Sequence, residues 1–291
     1  MFWLGAILPL LNWLSFSLIA NFQIPATALT GPRFYLGLAL CVWIGAALSS
    51  LQPLIRGLAV GLSVSSAIAV AQALGWSDLA RWNLPAGLLY NSAIHACSIA
   101  LVIVALCAAR DFRYIPALLP GLYLAHSRGG YAMLAVAFIG RWLGWQAALL
   151  TIALGAAVTI TWVSPSDAER MMLWAVAWRD IGWSGHGLGS FARVLFTAPD
   201  GLHYPGHVHN DYLQLAFELG VLAIPVYALY GFALARSGNR YWPCFLAFAT
   251  AGLFFFPLYA PIPAFTGAVV AGHIIFRRDR VAAGRLIHAA V

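Results

Sequence analysis

Two uncharged apolar runs, residues 57–75 and 92–109, constrain this chain more than anything else in it. A membrane crossing needs roughly 20 mainly apolar residues, and these two come close to that length without an Asp, Glu or Arg. Eight further runs resemble them. The ten expected spans are 2–20, 34–51, 57–75, 92–109, 114–126, 130–140, 143–163, 212–234, 242–256 and 264–276. The fifth and sixth are short enough to form a re-entrant hairpin instead. Composition agrees: 62% of residues are hydrophobic and 9% charged, with a mean hydropathy of +0.84, whereas soluble domains carry about 25% charged residues. The expected fold class is an all-α polytopic membrane protein, one integral membrane domain over 1–291, with no internal repeat or soluble linker.

The sixteen basic residues are all arginine. A net charge of +7 without a basic run interleaved with aromatics, outside the short RRDR near the end, argues against nucleic acid as a partner. It fits the arginine excess of cytoplasmic loops. With the N-terminus inside, Arg56, Arg110, Arg113, Arg141, Arg236, Arg240, Arg277, Arg278, Arg280 and Arg285 are cytoplasmic. Arg33, Arg81, Arg128, Arg170, Arg179 and Arg193 then lie outside, and both termini are cytoplasmic. The run from Phe2 has no basic residue before it, so an uncleaved first span is expected. Cys41, Cys97, Cys107 and Cys244 sit in apolar segments at irregular spacing and read as small core residues. Trp76, Trp82, Trp142, Trp145, Trp162 and Trp242 read as interface anchors.

This topology places the loop 164–211 on the outer face, and that loop holds the chain's polar chemistry. Four of the eight histidines fall between Ile181 and Tyr227. Ser166 with Glu169 fits a capping box opening an amphipathic helix on the membrane surface. The glycine-rich GWSGHGLGSF follows, and no strand precedes it as a nucleotide-binding fingerprint would need. Then comes HVHNDYLQLAFELG. Asp211 with Gln214 fits a capping box for the eighth span, which puts His209 just before a helix N-terminus. There the helix dipole disfavours an imidazolium, and a neutral ring can act as general base. Glu218 lies two turns further along, a carboxylate inside an apolar span and so a functional candidate. Two rival chemistries are open on these residues. His203, His207 and His209 with Asp211 could hold zinc for a membrane hydrolase; alternatively Glu218 could serve a glycolipid transporter.

Four motifs, in order, resemble the O-antigen ligase and polymerase superfamily of membrane glycosyltransferases. They are Ser127-Arg128-Gly129 at the outer end of a helix, Arg170 with Trp174, Gly185-His-Gly187-Leu-Gly189-Ser-Phe191, and His209-Asn210 followed nine residues later by Gly220. Gln72 and Gly87-Leu-Leu-Tyr-Asn91 resemble upstream family segments, so the likeness covers roughly residues 60–230. Ala223 departs from the family's glycine, threonine or tyrosine, and the chain is shorter than the family's dozen or so spans.

The resemblance implies a GT-C-like fold in the bacterial inner membrane. It implies transfer of a glycan from an undecaprenyl diphosphate donor to a hydroxyl on lipid A core, another glycan or a protein, with no metal or other cofactor. It casts His209 as the base and Arg128 and Arg170 as ligands of the diphosphate, with Asn210, Glu218 and Arg193 in support. Arginine suits the leaving group, because its guanidinium pairs bidentately with phosphate and keeps its charge.

Overall fold

The computed structural model describes residues 1–11, 32–76, 85–89, 91–161, 165–191, 195–197, 203–205 and 207–276. For 32–35, 154–161, 165–167, 195–197 and 203–205 the description is of backbone alone. The described chain is helical apart from one short antiparallel ladder. Its helices are α1 (Phe2–Leu11), α2 (Pro32–Ala47), α3 (Gln52–Ala73), α4 (Ser92–Ala109), α5 (Ile115–Leu124), α6 (Arg128–Leu143) and α7 (Trp145–Thr161). They continue with α8 (Pro165–Arg179), α9 (Asp211–Leu219), α10 (Ala223–Ala235), α11 (Trp242–Phe254) and α12 (Pro261–Phe276). The ladder pairs β1 (Leu195–Thr197) with β2 (His203–Pro205), Phe196 opposite Tyr204.

Helix falls within each of the ten apolar runs. Among the described residues three stretches are long and apolar enough to cross a membrane: Gln52–Ala73, Ser92–Ala109 and Asp211–Ala235. Four shorter helices, Phe2–Leu11, Leu36–Ala47, Trp242–Phe254 and Pro261–Phe276, are apolar as well. The third long stretch is not the uniform span expected over 212–234. It breaks at Gly220 into α9, a turn of 3-10 helix at Gly220–Leu222, and α10.

The core is built around α4, whose residues Ile94 to Leu106 are buried without interruption. A helix apolar on all sides belongs at the centre of a bundle. Its start is fixed by a side-chain cap, Asn91 Oδ1 accepting from Ala93 N at 2.8 Å and Ile94 N at 3.2 Å. Small residues let the surrounding helices approach. A Cβ on Gly130 of α6 would stand 2.9 Å from the Ala96 Cβ on α4, and one on Gly45 of α2 would meet the Val269 carbonyl of α12. Trp242 departs from the expected interface role. It is 4% exposed and donates its Nε1–H to the Leu234 carbonyl at 2.6 Å, whereas Trp76, Trp142 and Trp145 are exposed. Trp82 and Trp162 lie outside the described residues.

Helix order sorts the polar residues to two ends of the bundle. Gly130 meets Ala96, so α4 and α6 start at one end. Gly140 meets Trp242 and Leu246, so α11 runs back from the opposite end. Arg56 near the start of α3 bonds Asp111 just past α4, at 2.6 Å. One end therefore carries Arg56, Arg110, Arg113, Arg141, Arg236 and Arg240. The other carries Gln72, Asn91, Arg128, the start of α9 and the Phe255–Ala260 turn.

Candidate functional site

The site grows from the start of α9. The expected capping box is corrected by one residue: Asn210, not Asp211, is the cap, and its Oδ1 accepts from Leu213 N at 3.1 Å. Asp211 is free of that duty because a distant contact takes it. Its Oδ2 accepts from Leu258 N at 2.8 Å, tying α9 to the turn after α11. His209 precedes the cap with φ at +54°, a left-handed conformation that is uncommon for a non-glycine residue. Backbone strain of this kind persists only where the surroundings enforce it.

Those surroundings are aromatic and cationic. The His207 ring stacks on Phe256, centroids 4.6 Å apart and planes 15° from parallel. His209 meets the same Phe256 edge-on at 5.0 Å, and Phe255 at 6.5 Å. Burial in this wall pushes the His209 imidazole down to about 3, helped by the nearby charge of Arg170 and then by His207. The expectation of a neutral ring therefore stands on a different cause, since desolvation and Arg170 do what the helix dipole was invoked to do. Burial also lowers His207, against an opposing hydrogen bond with Gln214. The Nδ1 atoms of both rings are buried and, among the described residues, have no hydrogen-bond partner.

Further along α9 the glycine-rich loop wraps the helix end. His186 N donates to the Phe217 carbonyl at 3.0 Å, Gly187 N to the Glu218 carbonyl at 2.9 Å, and Val221 N to the Trp183 carbonyl at 3.0 Å. Gly185 and Gly220 make this approach possible. Both have positive φ, +68° and +56°, and a Cβ on Gly185 would stand 2.6 Å from Gly220 N. The Glu218 side chain fastens the same junction. Its Oε2 accepts from Gly189 N at 3.0 Å and Tyr259 OH at 3.3 Å, its Oε1 from Gln214 Nε2 at 3.0 Å. Beneath lies a small apolar core of Leu173, Ala177, Phe191, Val208 and Phe217, which seats α8 against α9.

That core changes the reading of α8. The helix forms, beginning at Pro165, so Ser166 stands inside its first turn rather than before it. Its apolar residues are not gathered on one membrane-facing side: Leu173 and Ala177 are buried, while Met171, Met172 and Trp178 are exposed. The Leu173–Ala177 stripe spends itself on α9, and Arg170, one turn earlier, is near enough for its charge to act on His209.

The structure thus brings His209, Arg170, Asn210 and Glu218 into one construction. Arg128 opens α6, exposed, at the same end of the bundle. Arg193 lies outside the described residues. Gln72 proves to be a buried staple, its amide holding Ala86 N at 3.0 Å, Gly87 N at 2.9 Å and the Gly87 carbonyl at 3.2 Å. Among the described residues no three His, Cys, Asp or Glu are arranged to hold a metal, and Asp211 turns toward Leu258 rather than toward the imidazoles. The side chain of His203 is outside the description. Sequence reasoning missed Phe255, Phe256, Leu258 and Tyr259. Their signal was the FFFPLY run, in which proline breaks the helix and leaves aromatics at its end. Neither protein-family models nor curated proteins give a match to this chain.

Proposed function

We propose that the chain is a polytopic membrane glycosyltransferase of the O-antigen ligase type. It moves a glycan from undecaprenyl diphosphate to an acceptor hydroxyl at the outer face of the bacterial inner membrane. The observation that carries this reading is the setting of His209: a buried imidazole with a left-handed backbone, walled by Phe255 and Phe256, whose charging is opposed by its burial and by the charge of Arg170, 39 positions away in sequence. The helices at the ten apolar runs support a bundle of about ten spans with a GT-C-like plan. The exposed apolar side chains Leu222, in the turn before α10, and Ile224, Leu229 and Phe232 on α10 suit lipid contact. The arginine-rich end, with Arg56, Arg110, Arg113, Arg141, Arg236 and Arg240, is assigned to the cytoplasm together with both termini.

In the reaction, the acceptor oxygen attacks the anomeric carbon and the bond from that carbon to the diphosphate oxygen breaks. The bonding pair leaves on the diphosphate. His209 takes the acceptor proton, a task open to it because its lowered pKa keeps the ring unprotonated at neutral pH. Arg170 and Arg128 stabilise the charge gathering on the leaving diphosphate. Asn210 holds the start of α9, and Glu218 locks the glycine-rich loop behind it. The reaction as written needs no metal or other cofactor. Lipid A core, a growing glycan or a protein hydroxyl would each serve as acceptor by the same chemistry.

Deleting the gene in its host and resolving surface polysaccharide on a gel tests the assignment and names the acceptor. Unattached long chains are the result for a ligase, single repeats for a polymerase, and loss of protein glycosylation for the third acceptor. An unchanged glycan profile on all three counts contradicts the proposal.

A further inference from the structure

We propose that the corner between α5 and α6, residues 125–127, is a surface for phospholipid headgroups, which descend to it and leave the bilayer locally thinned along this hairpin. The proposal rests on the chain spanning a bilayer and not on the glycan chemistry.

Both α3 and α5 begin at the arginine-rich end, where Arg56 and Arg113 share Asp111. They then run side by side, since a Cβ on Gly121 would meet the Ser66 side chain and stand 2.7 Å from His95 Nε2. From that level α5 has three residues left before it ends at Leu124, whereas α3 has seven before Ala73. At about 1.5 Å per residue, α3 stands beyond the end of α5 by about 6 Å. The return helix is as short. Gly130 of α6 meets Ala96, beside the His95 whose Nδ1 lies 3.2 Å from Ser65 Oγ, so Arg128 begins little above the same level.

From Arg128 to Arg141 there are thirteen residues of helix, about 20 Å, against about 30 Å of hydrocarbon in a typical bilayer. Long arginine side chains close part of such a gap by reaching for the headgroups. The backbone of the corner has no such reach. His126 has φ at +45°, Ser127 is extended and gives α6 no side-chain cap, and His126 and Arg128 are exposed. Irregular backbone facing lipid is not tolerated in hydrocarbon, where its N–H and C=O groups find no partner. The polar layer must therefore come down to the corner.

Side chains along the hairpin repeat a membrane profile at reduced height. Exposed Tyr123 and Tyr131 flank the corner, exposed Leu119, Ala135 and Phe138 follow, and exposed Trp142 stands beside Arg141 at the far end. Tyrosine and tryptophan mark the two membrane interfaces. Tyr131 to Trp142 is about 17 Å of helix. A bilayer adapts to a short hydrophobic segment by thinning at modest cost. Lipid phosphates are thereby brought to the level of Arg128.

Bimane on one introduced cysteine of the full-length protein, in dioleoyl-phosphatidylcholine nanodiscs open to solvent on both faces, tests this. The wild-type signal is subtracted for the four native cysteines. Iodide is expected to quench labels at Ser127→Cys and Leu143→Cys to within about twofold of each other, and a label at Ala135→Cys at least about fivefold less. Lipids brominated in mid-chain should quench in the reverse order. Gly129→Cys, where a Cβ meets only Ser127 Oγ at 3.6 Å, serves if Ser127→Cys fails to fold. A corner label sheltered from iodide and quenched by the bromines places flat hydrocarbon over the corner and overturns the proposal. So does a sheltered Leu143 label, which means the hairpin has only shifted across the bilayer, or an Ala135 label open to iodide. The expected pattern in a protein that transfers no glycan upholds the thinned bilayer and removes the transferase reading.

Discussion

The two ends of the helical bundle use their buried aspartates in opposite ways. At the arginine-rich end Asp111 is 6% exposed and fully engaged. It accepts from Arg56 Nε at 2.6 Å and from Arg113 Nε at 2.7 Å. The bonds from Arg113 and then Arg56 hold its carboxyl down to about 2. At the other end, among the described residues, His207 Nδ1, His209 Nδ1, Asp211 Oδ1, Ser190 Oγ and Trp174 Nε1 are buried without a hydrogen-bond partner. Most buried polar atoms in native proteins are paired, and a cluster of exceptions asks for a reason beyond folding. At one end the aspartate is spent on holding helices together. The other keeps some polar atoms in hand, and that is where a reaction can be served.

The largest effect belongs at the open end. His209→Ala is expected to lower glycan transfer by about 10²–10⁴-fold, the range of a general base, with the amount of folded membrane protein unchanged. Arg170→Ala comes next, at about tenfold to a hundredfold, with a further mark in the pH profile. The wild-type base stays unprotonated far below the usual 6.5, down to about 3, partly because Arg170 opposes its charging. Removing that charge raises the imidazole pKa, so the acid limb of kcat/KM should move to higher pH. An unmoved limb would separate Arg170 from His209.

Gly220→Ala probes how the loop is fastened. Its Cβ would demand a left-handed alanine and would meet the Trp183 carbonyl and Gly185 N. A loss of about 1–3 kcal/mol of stability is expected in thermal unfolding, with Gly189 released from Glu218. Arg128→Lys is expected to cost transfer several-fold if the contact with diphosphate is bidentate, and near wild-type rates would reduce Arg128 to an interfacial charge.

Asp111→Asn should have the smallest effect on turnover, none per folded molecule, and should act on stability alone. The folded carboxyl titrates below its unfolded value, so its stabilisation is complete above about 4 and is lost as pH falls from the usual 3.8 toward about 2. The variant should lack that acid-dependent loss, which unfolding measured across that window would reveal.

How much of this was legible depended on whether the cause was local. The bounds of α4 coincide with the apolar run 92–109, because Asn91 caps the helix from within the same stretch. The break between α9 and α10 was not legible. Gly220 reads as one tolerated glycine, and its reason is the close passage of Gly185, 35 positions earlier. Asn210 and Asp211 are both competent caps by type. Only the distant Leu258 N–H decides between them. The histidine was found from its motif, but the influence of Arg170 on it depends on the Leu173–Ala177 stripe choosing α9 over the membrane surface. Trp242 was misread for a similar reason, since its partner is the carbonyl of Leu234 across a turn.

The account's central claim, that the open end transfers a glycan from a lipid diphosphate with His209 as base, meets its most direct test in vesicles. Purified protein would be supplied with labelled undecaprenyl-diphosphate glycan and an acceptor in excess chelator, beside the same preparation of His209→Ala. The account predicts label joined to the acceptor hydroxyl and released undecaprenyl diphosphate in the wild type, and neither in the variant. No transfer by the wild type, transfer abolished by the chelator, or undiminished transfer by His209→Ala would contradict it.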